Sequence, residues 1–144
     1  MSRFPYSKPQ GMTGKPGVLP FIPLTLYFTH DGIHITKHVT VPALIDSGST
    51  VNVLPRDIGE RFGLDWDEQR AVLASAGIVL GHPALAVPVF AKIPGLTPQQ
   101  LLFAWSELSS ENRRVLLGQT DFFDECYVDF RKPLGYFEIV LKDV

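Results

Sequence analysis

Cysteine is almost missing from this chain: Cys126 is the only one in 144 residues. No intramolecular disulfide can form, and a cysteine-based zinc site has too few ligands. An excess of one charge is missing as well. Thirteen Lys and Arg stand against 15 Asp and Glu, a formal net charge of −2. A phosphate-binding surface needs a basic excess, so nucleic acid is not expected as a partner. Long hydrophobic runs are absent, and nothing approaches the roughly 20 apolar residues of a membrane span. No basic stretch leads into an apolar one, as a secretory signal would require. The expectation is a cytoplasmic protein with no membrane partner.

What is present fits one domain. Hydrophobic residues make up 45% and charged residues 19%, enough apolar side chain for a real core. Twelve Gly and 12 Pro point to short elements and frequent turns, as in a β-rich domain. Pro5, Pro9, Pro16, Gly11, Gly14 and Gly17 crowd the first 17 residues. Residues 1–17 therefore read as a flexible or extended arm, ordered at most around Phe4 and Tyr6, and 18–144 as the folded domain.

Within the domain, Phe21 to Phe28 and Ile33 to Val41 flank Asp31-Gly32 and predict a β-hairpin. Val51 to Leu54 predicts a short strand. Pro55 opens a helix through Phe62, with Ile58 and Phe62 on one face and Gly63 as the stop. Between Val72 and Ile93 the punctuation predicts a second hairpin and a further strand near Val87 to Ala91. Leu101, Trp105 and Leu108 fit helical spacing, yet Phe103-Ala104-Trp105 fits a strand equally well. Val115 to Gly118 reads as a buried strand ending in a tight turn, Phe122-Phe123 as a helical turn. Cys126 to Phe130 and Tyr136 to Leu141 read as a last hairpin.

The sharpest feature is Leu44-Ile45-Asp46-Ser47-Gly48-Ser49-Thr50. An acid ends an apolar strand, followed by a hydroxyl residue and a glycine that lets backbone amides approach the carboxylate. Far downstream, Leu116-Leu117-Gly118 repeats two apolar residues and a turn glycine. The pairing resembles the retropepsin family, the single-domain aspartic proteases of retroviruses and their cellular relatives. The likeness spans roughly Phe21 to Leu141, and Phe122-Phe123 and Tyr127-Val128-Asp129-Phe130 look like bacterial and cellular members. There is one departure. Many members place Arg and then Asp directly after the second glycine; here Gln119 and Thr120 follow, with Asp121 one place later. Asp-x-Gly-Ser also resembles a phosphate loop of actin-like ATPases, but those folds need two large lobes that this length cannot supply.

The retropepsin resemblance implies an all-β fold with one or two short helices, a closed acid-protease barrel with one lobe per chain, and a strand at 98–108. It implies an aspartic endopeptidase. Only one Asp-Ser-Gly is present, so Asp46 must meet a second Asp46 across the two-fold axis of a homodimer. Ser47, Gly48, Ser49 and Gly118 fall at the supporting positions of the catalytic Asp46, and Ser49 is placed to donate to its outer oxygen and so to shift activity towards acid. Ala76, Gly77 and Ile78 are the candidates for the flap over the substrate, an extended polypeptide. Val72, Ile78, Val79 and Leu80 are wall candidates by position alone. No metal and no cofactor are implied. The rival expectation is a non-catalytic dimeric module that binds peptide or protein in the same groove, and the two readings of the arm are an inhibitory segment that fills that groove and a disordered one.

Other residues are read as structural. His30, His34 and His38 are spaced by four, but on a strand they do not converge on a metal. Ser47 and Ser49 lack the Gly-x-Ser-x-Gly elbow of a serine nucleophile. Cys126 reads as a packing residue.

Overall fold

A computed structural model describes residues 1–8, 17–29, 33–35, 37–72, 75–79, 81–111 and 113–142, with 71, 72 and 75–79 described by backbone alone. Asp31-Gly32, residues 9–16 of the expected arm and Leu80 lie outside the described residues. The first long strands are β2, Phe21–Tyr27, and β3, His38–Ile45, paired antiparallel from Phe21↔Leu44 to Tyr27↔His38. β1 is Ser2–Pro5. Alternation sets the faces: Ile22, Leu24 and Leu26 of β2 and Val39, Val41, Ala43 and Ile45 of β3 are buried. β3 starts at His38 rather than at Ile33, since Ile33 and Ile35 are exposed. It also runs through Pro42, which lies directly opposite Pro23. Proline cannot donate to a ladder. The outer neighbours pair with β3 only from Ala43 and with β2 only from Thr25, so the two missing N–H groups fall together where no bond is required.

Six strands close into a barrel in the order β2-β3-β8-β4-β7-β6, with β6 returning to pair with β2. The remaining members are β4 (Asn52–Leu54), β6 (His82–Lys92), β7 (Gln99–Ser106) and β8 (Val115–Leu117). A seventh strand, β5 (Ser75–Val79), hangs on β6. β6 runs unbroken past Pro88, where the sequence suggested two pieces. β7 settles the ambiguity at 98–108: Leu101, Phe103 and Trp105 are buried and Leu102 is exposed, the period of a strand. The barrel interior is filled by Leu24, Leu26, Leu54, Val87, Phe103, Trp105 and Leu117 among others. Each such side chain contributes about 1.5–3 kcal/mol by leaving water.

Among the described residues three short α-helices, one more than expected at most, and a 3-10 turn at Lys132–Leu134 complete the fold. α1 (Arg56–Arg61) follows Pro55 and closes at Phe62 and Gly63, as its sequence predicts. It packs on Trp105, whose indole N–H donates to the Arg56 carbonyl at 3.1 Å. α2 (Trp66–Val72) was not anticipated. Its signal is Asp65, which accepts the Glu68 amide at 3.0 Å, with Asp67 and Glu68 in the positive first turn. α3 is Phe122–Glu125.

The chain ends form a second sheet, β1-β10-β9, with β9 at Cys126–Arg131 and β10 at Tyr136–Leu141. The start of the 1–17 segment, around Phe4 and Tyr6, thus belongs to this sheet. β1 pairs with β10 from Ser2↔Ile139 to Pro5↔Tyr136. Phe4 is buried and stacks on Phe137 at 5.7 Å, and Tyr6 meets the same ring edge-on at 5.3 Å. Two aromatics two residues apart, with one buried, outweigh the turn-forming composition around them.

Candidate functional site

The parallel pairing of β8 with β3 runs from Ala43↔Val115 to Ile45↔Leu117, while β4 meets β8 antiparallel at Val53↔Leu116. β8 thus lies between two strands that are neighbours in sequence, and the turn joining them, residues 46–51, passes across its end. Backbone bonds fix that crossing. The Asp46 amide donates to the Leu117 carbonyl at 2.9 Å, the Gln119 amide to Ser49 at 2.8 Å and the Thr120 amide to Thr50 at 3.0 Å. The Gln119 side-chain amide donates to the Ser47 carbonyl at 2.7 Å. At the crossing a Cβ on residue 118 would stand 2.5 Å from the Val51 carbonyl oxygen and 2.6 Å from that of Ser49. Only glycine fits there, which is the physical content of the downstream Leu-Leu-Gly.

Asp46 emerges half-buried at the tip of this turn. Its Oδ1 accepts the Gly48 amide at 2.9 Å, and its carbonyl accepts the Ser49 amide at 3.1 Å. A Cβ at Gly48 would lie 3.2 Å from Oδ1, so glycine here permits the close amide approach. Among the described residues Oδ2 has no hydrogen-bond partner and is available to a ligand. Ser47 is exposed beside it. Ser49 differs from expectation. Its hydroxyl donates to the Val51 carbonyl at 2.7 Å and not to the carboxylate, because the turn presents a backbone oxygen closer to hand.

Asn52 was missed by the sequence reading. It is fully buried. Its Oδ1 accepts the Gly118 amide at 2.8 Å and its Nδ2 donates to the Leu102 carbonyl at 3.0 Å. A polar residue inside Val51-Asn52-Val53-Leu54, an otherwise apolar strand, was the available signal. Leu102 faces Pro88 across the sheet, and both of its backbone groups are met by side chains. Its amide donates to Asp121 Oδ2 at 2.5 Å. Asp121, shifted one place from the family pattern, sits at φ 78° and ψ −59°. The Phe122 amide closes on the Thr120 carbonyl at 3.0 Å, which makes a γ-turn of positive φ, rare and strained for a residue with a side chain. The Asp121 amide donates to Asp124 Oδ2 at 2.9 Å.

The face bearing Asp46 is apolar. Leu44 lies two residues back on the same face, Phe21 opposite it and Leu116 beside it. Val53, Ala84 and Leu116 form a cluster separate from the barrel core, with Leu44 and Ala104 packed on it. Leu44 and Leu116 of this cluster lie on the strands whose ends meet at the Asp46 turn; the side chains of the positional candidates Val72, Ile78, Val79 and Leu80 lie outside the described residues. The cluster was illegible because facing residues follow from strand order. Ala76, Gly77 and Ile78 fall in β5, and the β5–β6 hairpin pairs Val79↔His82 with an irregularity between Ser75 and Gly77.

Of the discounted groups, His30 lies outside the described residues. Burial, with the charge of Glu125, pushes the Cys126 thiol up to about 11, so little thiolate exists near neutrality. Among the described residues no three His, Cys, Asp or Glu gather as metal ligands, and no helix is long and apolar enough to cross a membrane. No protein-family model matches this chain, and no curated protein matches its sequence.

Proposed function

We propose that the chain is one half of a retropepsin-like aspartic endopeptidase, working as a symmetric homodimer. The observation that carries this reading is the locked turn: Asp46 at its tip, Gly118 where no side chain fits, and β8 threaded between β3 and β4. Such a turn holds a carboxylate rigidly at the end of an apolar face.

One carboxylate is half of the required chemistry. A second Asp46, brought by an identical chain, supplies the rest. Two carboxylates about 3 Å apart share one proton and titrate as a pair. The ionised Asp46 takes a proton from a water held between them, and the water oxygen attacks the peptide carbonyl carbon. The protonated Asp46 donates to the carbonyl oxygen. At collapse the Asp46 that took the water's proton gives it to the nitrogen, the other Asp46 takes a proton back from one hydroxyl of the tetrahedral diol, and the C–N bond breaks to release the acid and the amine. Ser47, exposed next to the acid, is the residue to bridge to the facing loop. An extended substrate lies along the Leu44, Leu116 and Val53 face, beneath the β5–β6 hairpin as flap. The mechanism uses neither metal nor cofactor.

The test is cleavage of a denatured protein mixture from about pH 3 to pH 7, with product ends read by mass spectrometry and Asp46→Asn as control. Cuts that vanish in the variant support the enzyme. Absence of cuts from folded, dimeric protein moves the reading to a peptide-binding module, which the apolar face alone could serve. A strictly monomeric chain sinks the proteolytic reading.

A further inference from the structure

The Asp46-bearing face continues beyond its apolar wall. Phe21 faces Leu44 across the β2–β3 pair. Arg114 immediately precedes β8, and its guanidinium carbon lies 5.6 Å from the centre of the Phe21 ring, which puts its charge on this same face. One row further from Asp46 come Pro23 and Pro42, then Thr25 and Thr40, whose hydroxyls bond at 2.7 Å. There the surface dips into an open cavity of about 280 Å³, lined by Ser7, Lys8, Phe21, Pro23, Thr40 and Pro42 among others. Phe21 joins the two features: it lines the cavity, and Arg114 stands over its ring. Arg114 is exposed and forms no ion pair among the described residues.

We propose that this cavity, with Arg114 at its rim, is a subsite for an acidic side chain of the bound polypeptide. Pro42 is four residues from Asp46 on the same strand, about 13 Å at about 3.3 Å per residue. An extended peptide spans that distance in about four residues, and the long Arg114 side chain shortens it. The acidic residue therefore sits two to four positions from the bond held over Asp46. A guanidinium resting on an aromatic face is weakly hydrated and matches a carboxylate in geometry. The substrate class becomes an extended polypeptide with an apolar centre and a flanking Asp or Glu. This inference rests on the proposed reading of Asp46 as the site of the scissile bond.

The experiment measures binding, so that it does not depend on turnover. Full-length Asp46→Asn protein is titrated against two labelled peptides sharing a Val-Phe-Leu centre, one flanked by glutamates and the other by glutamines. The glutamate peptide should bind about fivefold tighter at low salt, the size of an accessible charge pair. That preference should disappear in Arg114→Ala and invert in Arg114→Glu. Equal affinities, no binding of either peptide, or a preference that survives Arg114→Ala would overturn the subsite. Cleavage by the wild-type chain is scored separately. A glutamate preference without any cleavage leaves the subsite standing and sinks the proteolytic reading; cleavage with no acidic preference near the cut does the reverse.

Discussion

Gly118 donates its backbone amide to the side-chain oxygen of Asn52 at 2.8 Å, deep in the protein. The same Asn52 side chain donates to Leu102, so one buried amide ties β4, β7 and the end of β8 together behind Asp46. Replacing Asn52 by Ala strands the Gly118 N–H and the Leu102 carbonyl without partners. Each buried unsatisfied group costs about 1–3 kcal/mol, and Asn52→Ala is expected to lose about 2–4 kcal/mol in urea unfolding. A loss below about 0.5 kcal/mol would show that the bond is dispensable.

Ser49 is expected to act on stability and not on acidity. Its hydroxyl is spent on the Val51 carbonyl. Ser49→Ala removes one hydrogen bond of the turn, worth about 1 kcal/mol, while the pH optimum of cleavage stays where it is. An upward movement of that optimum would mean that the hydroxyl turns to the carboxylate in the proposed dimer.

Residues at the start of the chain belong to the fold. Phe4 is 7% exposed and stacked on Phe137, and Arg3 pairs with Glu138 at 3.2 Å. Phe4→Ala is expected to cost about 3 kcal/mol, as for other buried phenylalanines. Deleting residues 1–17 should lower the midpoint of thermal unfolding as well, because it strips β1 from β10. A truncation that is more active and equally stable would instead mark the segment as an inhibitor.

Cys126 gives a pH signature. Its folded thiol is pushed up to about 11, first by burial and then by Glu125, whereas an unfolded thiol ionises near 8.5. Below about pH 8.5 both states hold the proton and the full contribution is present. Above it the unfolded chain releases the proton first, so stability falls as pH rises towards 11. Chemical denaturation from pH 7 to 11 should show this decline, and Cys126→Ala should flatten it. At pH 8 the native thiol should react with iodoacetamide far more slowly than the thiol in urea.

Much of the barrel was legible because its strands alternate. Ile22, Leu24 and Leu26 announce an inward face, and Asp46-Ser47-Gly48 and Leu116-Leu117-Gly118 announce two turns that pack against each other. Long-range pairing was not legible. The apolar face of Leu44, Leu116 and Val53 exists because β8 lies between β3 and β4, a fact carried by no local pattern. Pro42 and Pro88 looked like breaks, yet each sits in a strand at a position where the missing N–H costs no ladder bond. β1 was hidden by the prolines and glycines that follow it, and α2 by the short span between Gly63 and β5.

The clamp on residues 46–51 draws its bonds from Gln119 and Thr120, some 70 positions along the chain, and Asn52 reaches Leu102 and Gly118. Contacts of such separation form late, after the intervening loops have closed. The bonds from Gly48 and Ser49 are local, but the clamp that fixes the turn against the barrel is complete only when β8 docks. The amides of Gly118, Gln119 and Thr120 should exchange with solvent deuterium as slowly as those of the barrel centre. A half-made chain, still on its way to the folded state, carries Asp46 but not the device that aims it.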